Sequence, residues 1–291
     1  MENLHLPNNI KVHFAGAKND RTATLLKQLG VSYVLYSAFK EVYKKVYGKN
    51  VKQMDEIPEF LHNTFLHTIQ DSGLFSLLFG SLKGKANASD IYKWYDALIE
   101  YTLEHSQPVT CVEVDAQAII GIEETWRLRE RMKKDLPNNR IINVWHLQDG
   151  KDGLDRLIEY SDYIAIGAPE LRSFNLFQYV YPIAKYIKEK KSEIDIHLLG
   201  CTDSNMIKRC SWCTSSDSSF YLHPIRYGHL LKQKVAYLDP NKIRALIGED
   251  RYDSMNSVKE LTETELILCA SIEHEKRLYQ KYAGNQDYIF L

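Results

Sequence analysis

Eight short apolar runs recur along the 291-residue chain, most of them rich in strand-forming residues and followed by a longer stretch of helical period. They are 11–15 (KVHFA), 31–35 (VSYVL), 67–71 (HTIQD), 109–114 (VTCVEV), 141–146 (IINVWH), 163–166 (YIAI), 194–199 (IDIHLL) and 211–216 (SWCTSS). Strand patterns alternating with helical ones imply a parallel sheet wrapped by helices, because parallel neighbours need a long crossover between them. Eight such strands predict a closed α/β barrel of the (β/α)8, or TIM, type, and the length suits one such barrel with a single core. The expected organisation is a barrel at 1–230 and a short, mostly helical C-terminal extension at 231–291 packed on it.

Helix signals support this order. Asn19 or Asp20 precedes TATLLKQL, with Gly30 just after it, and Ser89 opens DIYKWYDALIEYTLEH. Two more helices are expected at 119–134 and 174–190, a further strand at 234–238, and helices beginning near Asp239-Pro240 and near Ser254. No run approaches the roughly 20 apolar residues of a membrane span. The chain's start lacks the basic-then-apolar order of an export signal, so a cytoplasmic protein with no membrane partner is expected. The five cysteines, an odd number, read as buried thiols rather than disulfides. A net charge of -1 neither demands nor excludes a polyanionic partner, because nucleic-acid binding needs only a local basic surface. Function has to be read from sites.

A barrel of this type presents its reactive groups at the carboxyl ends of its strands. Those positions hold Gly16, Ser37, Asp71, Asp115, His146, Gly167, Gly200 and Asp217. Asp71 opens Asp71-Ser72-Gly73-Leu74-Phe75-Ser76, with an acid at a strand end, a glycine for a tight turn and an aromatic four positions on. Asp217 lies in Ser215-Ser216-Asp217-Ser218-Ser219, whose hydroxyls are placed to orient a carboxylate kept ionised as a nucleophile. The competing reading of either aspartate is a cap on the helix that follows.

These segments resemble the tRNA-guanine transglycosylase superfamily of base-exchange barrels. Its bacterial members carry Asp-Ser-Gly-Gly-Phe-Gln after a strand, similar to residues 71–76 here, and a nucleophilic aspartate followed at a fixed distance by Arg-Asn-Gly-His-Leu. Arg226-Tyr227-Gly228-His229-Leu230 begins nine residues past Asp217. Weaker matches fall between them. Val112-Glu113-Val114-Asp115 resembles the segment whose aspartate reads the base, Ile164-Ala165-Ile166-Gly167-Ala168 the glycine pair whose backbone touches it, and His197-Leu198-Leu199-Gly200 the apolar floor. The likeness runs from about residue 11 to residue 230, with departures: Leu74 replaces the second glycine, Ser76 the glutamine, Ala168 the second glycine of its pair, and His146 stands near an expected base-reading glutamine. The Cys-x-Cys-x-x-Cys plus His zinc subdomain of the tRNA enzymes has no counterpart after Leu230. In that respect, and in Ser215 to Phe220, the chain resembles the compact phage-type relatives that insert 7-deazaguanines into DNA.

The resemblance implies a pentosyltransferase that exchanges guanine in DNA for a free 7-deazaguanine related to queuosine precursors, without cofactor or metal. It makes Asp217 the nucleophile and Asp71 the general acid and base, with the carboxylates roughly 5 to 7 Å apart as in retaining glycosidases. Ser72, Phe75, Asp115, His146, Gly167, Leu199 and Gly200 are expected around the base, Phe75 and Leu199 as pocket walls, and Lys83, Lys85 and Arg226 on the nucleic acid. DNA is the preferred polymer and tRNA the alternative; a homodimer is compatible with either. The reading from another class is a non-catalytic barrel that binds nucleic acid or an active partner. Other candidates carry less. Cys210 and Cys213, with Cys201 nearby, have zinc half-site spacing, but strand residues three apart face opposite sides. The basic clusters at 44–52, 127–134 and 185–191 read as solvated helix faces, and Trp145 as core rather than a stacking surface.

Overall fold

The computed structural model describes residues 10–17, 20–48, 58–78, 86–230, 233–235 and 239–283. Its strands are β1 (Lys11–Ala15), β2 (Tyr33–Ser37), β3 (His67–Asp71), β4 (Thr110–Val112), β5 (Arg140–Trp145), β6 (Tyr163–Gly167), β7 (Asp195–Leu199) and β8 (Ser215–Ser218). Each pairs in parallel with the next, and β8 closes on β1 with His13 opposite Asp217. The result is a TIM barrel with helices between its strands. Among the described residues no helix is long and apolar enough to cross a membrane.

Several boundaries differ from the sequence expectation, each for a local reason. The second strand starts at Tyr33 rather than 31, because the Val31 N–H still closes the preceding helix on Leu26 O at 3.0 Å. The eighth is displaced most. Residues 211–214 belong to a turn in which the Cys213 N–H reaches Cys210 O at 2.8 Å, so the strand begins at Ser215 and Asp217 lies inside it. Asn87, not Ser89, caps the helix Ala88–Leu103: its side chain accepts from Asp90 N at 3.2 Å, and the Asp90 carboxylate accepts from Asn87 N at 3.0 Å. The helix expected at 119–134 divides at Gly121 into Gln117–Ile120 and Ile122–Asp135. That expected at 174–190 begins only at Val180, after a separate helix Ala168–Ser173 that ends near Asn175, which takes a left-handed φ of 58°. In the C-terminal part a two-residue strand, Gln233–Lys234, pairs antiparallel with His229–Leu230, while 236–238 lie outside the described residues. The helix sought near Ser254 starts at Glu249, directly after Gly248.

The helix Glu263–Ala283 has no counterpart in the sequence reading. It packs on the helices Asp20–Gln28, Ser204–Arg209 and His223–Tyr227 and so covers the seam between β8 and β1. Arg21 Nε donates to Glu265 at 2.5 Å, Lys276 Nζ to Leu29 O, and the Tyr279 hydroxyl to Ser218 Oγ at 2.8 Å. The eight strands are complete by residue 230, but their outer layer is completed from 263–283.

The barrel's interior is of two kinds. Ala15, Leu35, Ile69, Val112, Ile142, Val144, Tyr163 and Ala165 form an apolar cluster with Leu199 against it. Among them runs a polar set. The His67 Nδ1 and His13 Nε2 atoms lie 2.9 Å apart, and His67 Nε2 is 3.0 Å from the Thr110 hydroxyl. Burial, then the neighbouring rings, lowers His13 well below the ordinary histidine range, and burial with nearby cations brings His67 down to about 4. Both rings are therefore neutral near pH 7. Outside the barrel, Glu113 and Arg129 form a buried ion pair, in which Arg129 Nε and Nη2 donate to the carboxylate at 2.8 to 3.0 Å. Asn143 Nδ2 at 2.6 Å and Val144 N at 2.9 Å donate to the same carboxylate, tying β5 to the residue just past β4.

Candidate active site

Asp71 ends β3, and the chain then turns through Gly73 at φ 74°. A side chain there is excluded, since a Cβ on Gly73 would lie 2.6 Å from the Phe39 backbone. The turn aims the Gly73 N–H at Asp71 Oδ2 (2.9 Å), and the Ser37 hydroxyl lies 3.4 Å from the same oxygen. Those contacts favour the carboxylate form, but burial and the charges of Asp217 and Asp115 outweigh them and raise Asp71 to about 6.

Asp217, 8% exposed, points into the barrel from β8. Its Oδ1 accepts from Gly200 N at 2.5 Å and faces His197 Nε2 at 3.2 Å. Gly200 follows β7 in a left-handed turn at φ 63°, and a Cβ on it would meet Pro169 at 2.8 Å. The serines around Asp217, expected to hold its carboxylate, bond elsewhere. Ser216 Oγ donates to Leu198 O and Cys201 O at 3.1 Å, Ser218 Oγ receives Tyr279, and Ser215 Oγ meets the His197 ring. The carboxylate is held from β7 instead.

A third cluster sits beside the pair. His146, just past β5, places Nε2 2.6 Å from Asp115 Oδ1 and Nδ1 3.2 Å from Glu170 Oε2. Burial disfavours a charged ring, but hydrogen bonds to the two carboxylates and their charges prevail and lift His146 to about 10, so it is an imidazolium bridging two acids.

The expected residues thus divide. Asp71, Asp115, His146, Gly167, Leu199, Gly200 and Asp217 all come to the carboxyl ends of their strands. Gly200, expected around the base, gives its N–H to Asp217, and Asp115 has one oxygen engaged by His146. Ser72 is buried, with its carbonyl accepting from Trp94 Nε1 at 2.9 Å. Phe75 is 69% exposed and stands on the rim in the short helix after β3. Trp145 is buried and donates to Gly150 O, a core role. Lys83 and Lys85 lie outside the described residues. Arg226 is exposed in the last turn of His223–Tyr227. Cys201, Cys210 and Cys213 are buried free thiols.

Three features escaped the sequence reading: His197, Glu170, and an aromatic stack beyond β8. In that stack Phe220 lies on His223 (5.0 Å, 23°) and His223 against Tyr227 (4.6 Å), with Phe220 and Tyr227 exposed beside Arg226.

No family model and no curated protein matches the chain by sequence. Among solved structures it is similar to one titled "QR15, an Aldolase", with a TM-score of 0.43 and 11% identity over 77% of this chain and 99% of that one. A likeness of that size bears on no question of chemistry.

The elevated Asp71 has a consequence for stability. Its folded pKa exceeds the ordinary carboxylate value of 3.8, so its contribution is full below that value and is lost as pH rises through about 6. Asp71→Asn keeps an acceptor for Gly73 N and removes the charge. The variant is expected to be more stable than wild type at pH 8, on the order of 1 to 2 kcal/mol after allowing for partial exposure, and the gain should fade below about pH 4. Paired thermal melts at the two pH values check this; a gain of equal size at both would mean that charge is not its source.

Proposed function

We propose that the protein is a nucleic-acid guanine transglycosylase, acting on DNA in preference to tRNA, that replaces guanine by a 7-deazaguanine base. The observation that carries this reading is the division of labour between two carboxylates at one barrel mouth. Asp217 has one oxygen held by a backbone N–H, whereas Asp71 is raised toward neutrality and feels the charge of Asp217. A carboxylate held by a backbone N–H beside one raised toward neutrality suits double displacement at a glycosidic carbon. In that mechanism Asp217 Oδ2 bonds to C1′ as the C1′–N9 bond breaks, and guanine leaves with the electron pair and a proton from Asp71. The incoming base then gives its N9 proton to Asp71 and bonds to C1′, and the electron pair of the ester bond returns to Asp217.

The exposed Phe75 and the Phe220–His223–Tyr227 stack supply aromatic faces at the rim for an extruded nucleotide and its neighbours, with Arg226 for a phosphate. The preference for DNA rests on the sequence resemblance to the compact relatives. The deciding experiment incubates the protein with DNA and, separately, tRNA carrying labelled guanine, each with candidate 7-deazaguanines, and scores base-dependent release of label. Release from tRNA alone would reverse the polymer preference and leave the chemistry standing; none from either would remove the reading in favour of a non-catalytic barrel.

Two further outcomes are expected. Guanine departure needs the acid form of Asp71, so single-turnover release of guanine should decline as pH rises beyond about 6, a limb that Asp71→Asn removes along with most of the rate. His146→Gln keeps hydrogen-bonding capacity but deletes the cation between Asp115 and Glu170. Its KM for the incoming base should rise roughly tenfold or more with kcat less affected, as loss of a charged hydrogen bond predicts. Histidine NMR on wild type should find this ring doubly protonated at pH 8; a ring that has lost a proton by pH 7 would contradict the assignment.

A further inference from the structure

Behind Asp217 lies a line of buried polar groups that the exchange mechanism leaves without a role. The Tyr163 hydroxyl is 2.5 Å from Ser215 Oγ, Ser215 Oγ is 2.6 Å from His197 Nδ1, and His197 Nε2 is 3.2 Å from Asp217 Oδ1. The groups come from β6, β7 and β8, with His197 directly opposite Ser215 in the ladder. Tyr163, His197 and Ser215 are at most 2% exposed, shielded from bulk water, so their donors need partners inside the barrel.

That isolation fixes the direction of the chain. If Nδ1 carried a proton, it would donate to Ser215, and a further acceptor would then be needed, for the Tyr163 proton if Ser215 donates to Tyr163, or for the Ser215 proton if Tyr163 donates to Ser215. Among the described residues none is found, and burial pushes the Tyr163 phenol up, so it keeps its proton. The opposite direction satisfies every group: Tyr163 donates to Ser215, Ser215 to Nδ1, and Nε2–H to Asp217. Each hydroxyl passes its donor one step toward the carboxylate.

We propose that His197 is a positioning residue for Asp217: a neutral ring, locked as the Nε2–H tautomer by the hydroxyls of Ser215 and Tyr163, that together with Gly200 N holds Oδ1 and leaves Oδ2 to attack. The kinetic part of this inference rests on the transglycosylase reading; the tautomer does not. Two donors on one oxygen fix the rotation of the carboxylate. They also support Oδ1 as charge returns to Asp217 on breakdown of the glycosyl-enzyme. The tautomer matters because an Nδ1–H ring would turn a lone pair toward Asp217 and repel it.

The test begins with 15N-histidine-labelled protein at rest, which needs no substrate. Wild type should give His197 as a neutral Nε2–H ring whose Nδ1 accepts a hydrogen bond, and Ser215→Ala, which removes that donor, should move the Nδ1 resonance toward that of an unbonded ring nitrogen while Asp217 keeps the proton on Nε2. An imidazolium or an Nδ1–H ring in wild type, or an Nδ1 resonance that Ser215→Ala leaves unchanged, overturns the proposal whatever the activity. On the kinetic side Ser215→Ala should lower kcat roughly tenfold, as loss of one supporting hydrogen bond predicts, with KM for nucleic acid within about twofold. His197→Gln, whose amide reaches the Nε2 position, should retain more activity than His197→Leu at matched thermal stability. A Gln variant no better than Leu, or a fall in Ser215→Ala confined to KM, also counts against the proposal. If wild type exchanges no base while the ring nitrogens respond as described, the proposed function fails and the locked ring stands.

Discussion

On the transglycosylase mechanism proposed above, Asp217→Asn is expected to abolish base exchange, with a loss on the order of 10⁴-fold or more, while leaving the fold intact. The substitution changes almost no volume. Asparagine Oδ1 can still accept from Gly200 N and face His197 Nε2, so the hydrogen bonds that hold the wild-type carboxylate survive. What is lost is the second oxygen as a nucleophile, since the amide Nδ2 has its lone pair delocalised. The stability change should stay under about 1 kcal/mol, because no cavity, orphaned charge or strained backbone results. Denaturing electrophoresis after incubation with DNA and a 7-deazaguanine should trap a protein–DNA adduct with wild type and none with the variant. An asparagine variant that exchanges bases within tenfold of wild type would show that the ester intermediate is not on the path, and Asp217 would revert to a structural acid.

The two aspartates were legible because a barrel makes strand ends special, and β3 is bounded as the sequence suggests, from His67 to Asp71. β8 was harder. Its run of Ser, Trp, Cys and Thr has no period, and Cys210 and Cys213 are core residues of a turn, so an apolar signal at 211–214 reads as strand without being one. The helix Glu263–Ala283 was hidden by its own buried charges. Glu273, Glu275 and Lys276 are all buried and interrupt the apolar stripe by which an amphipathic helix is recognised. Pair relations were the least legible. His197 reaches Asp217 only because the β7 register sets Leu198 beside Ser216, and Glu170 reaches His146 from the helix after β6; neither follows from spacing along one segment. Asp115 just past β4, His146 just past β5 and Glu170 in the helix after β6 meet from three separate segments.

Arg129→Met is expected to destabilise the protein by about 3 to 5 kcal/mol, as removal of one partner of a buried ion pair does. Arg129 is 2% exposed and gives its guanidinium to Glu113 through Nε and Nη2, with Nη2 also donating to Val144 O at 2.7 Å. Methionine fills part of the space and supplies no donor, so Glu113 is left buried with Asn143 and Val144 N but no cation. For a barrel of this size the melting temperature should fall by roughly 10 °C. A second substitution separates the charge from the packing. Glu113→Gln in the Arg129→Met background removes the orphaned carboxylate, keeps an acceptor for Val144 N, and should recover more than half of the loss, whereas Glu113→Gln alone should destabilise by leaving the guanidinium unpaired. The same pair connects stability to the site. Glu113 lies two residues before Asp115, and its contact with Val144 N lies two residues before His146. Relaxing it should therefore loosen the Asp115–His146 contact below the melting transition, visible as earlier proton loss from the His146 ring in the single variant and its recovery in the double. A single variant that melts with wild type would mean that the ion pair is dispensable, and the integrity of the β4–β5 rim would then have to come from apolar packing alone.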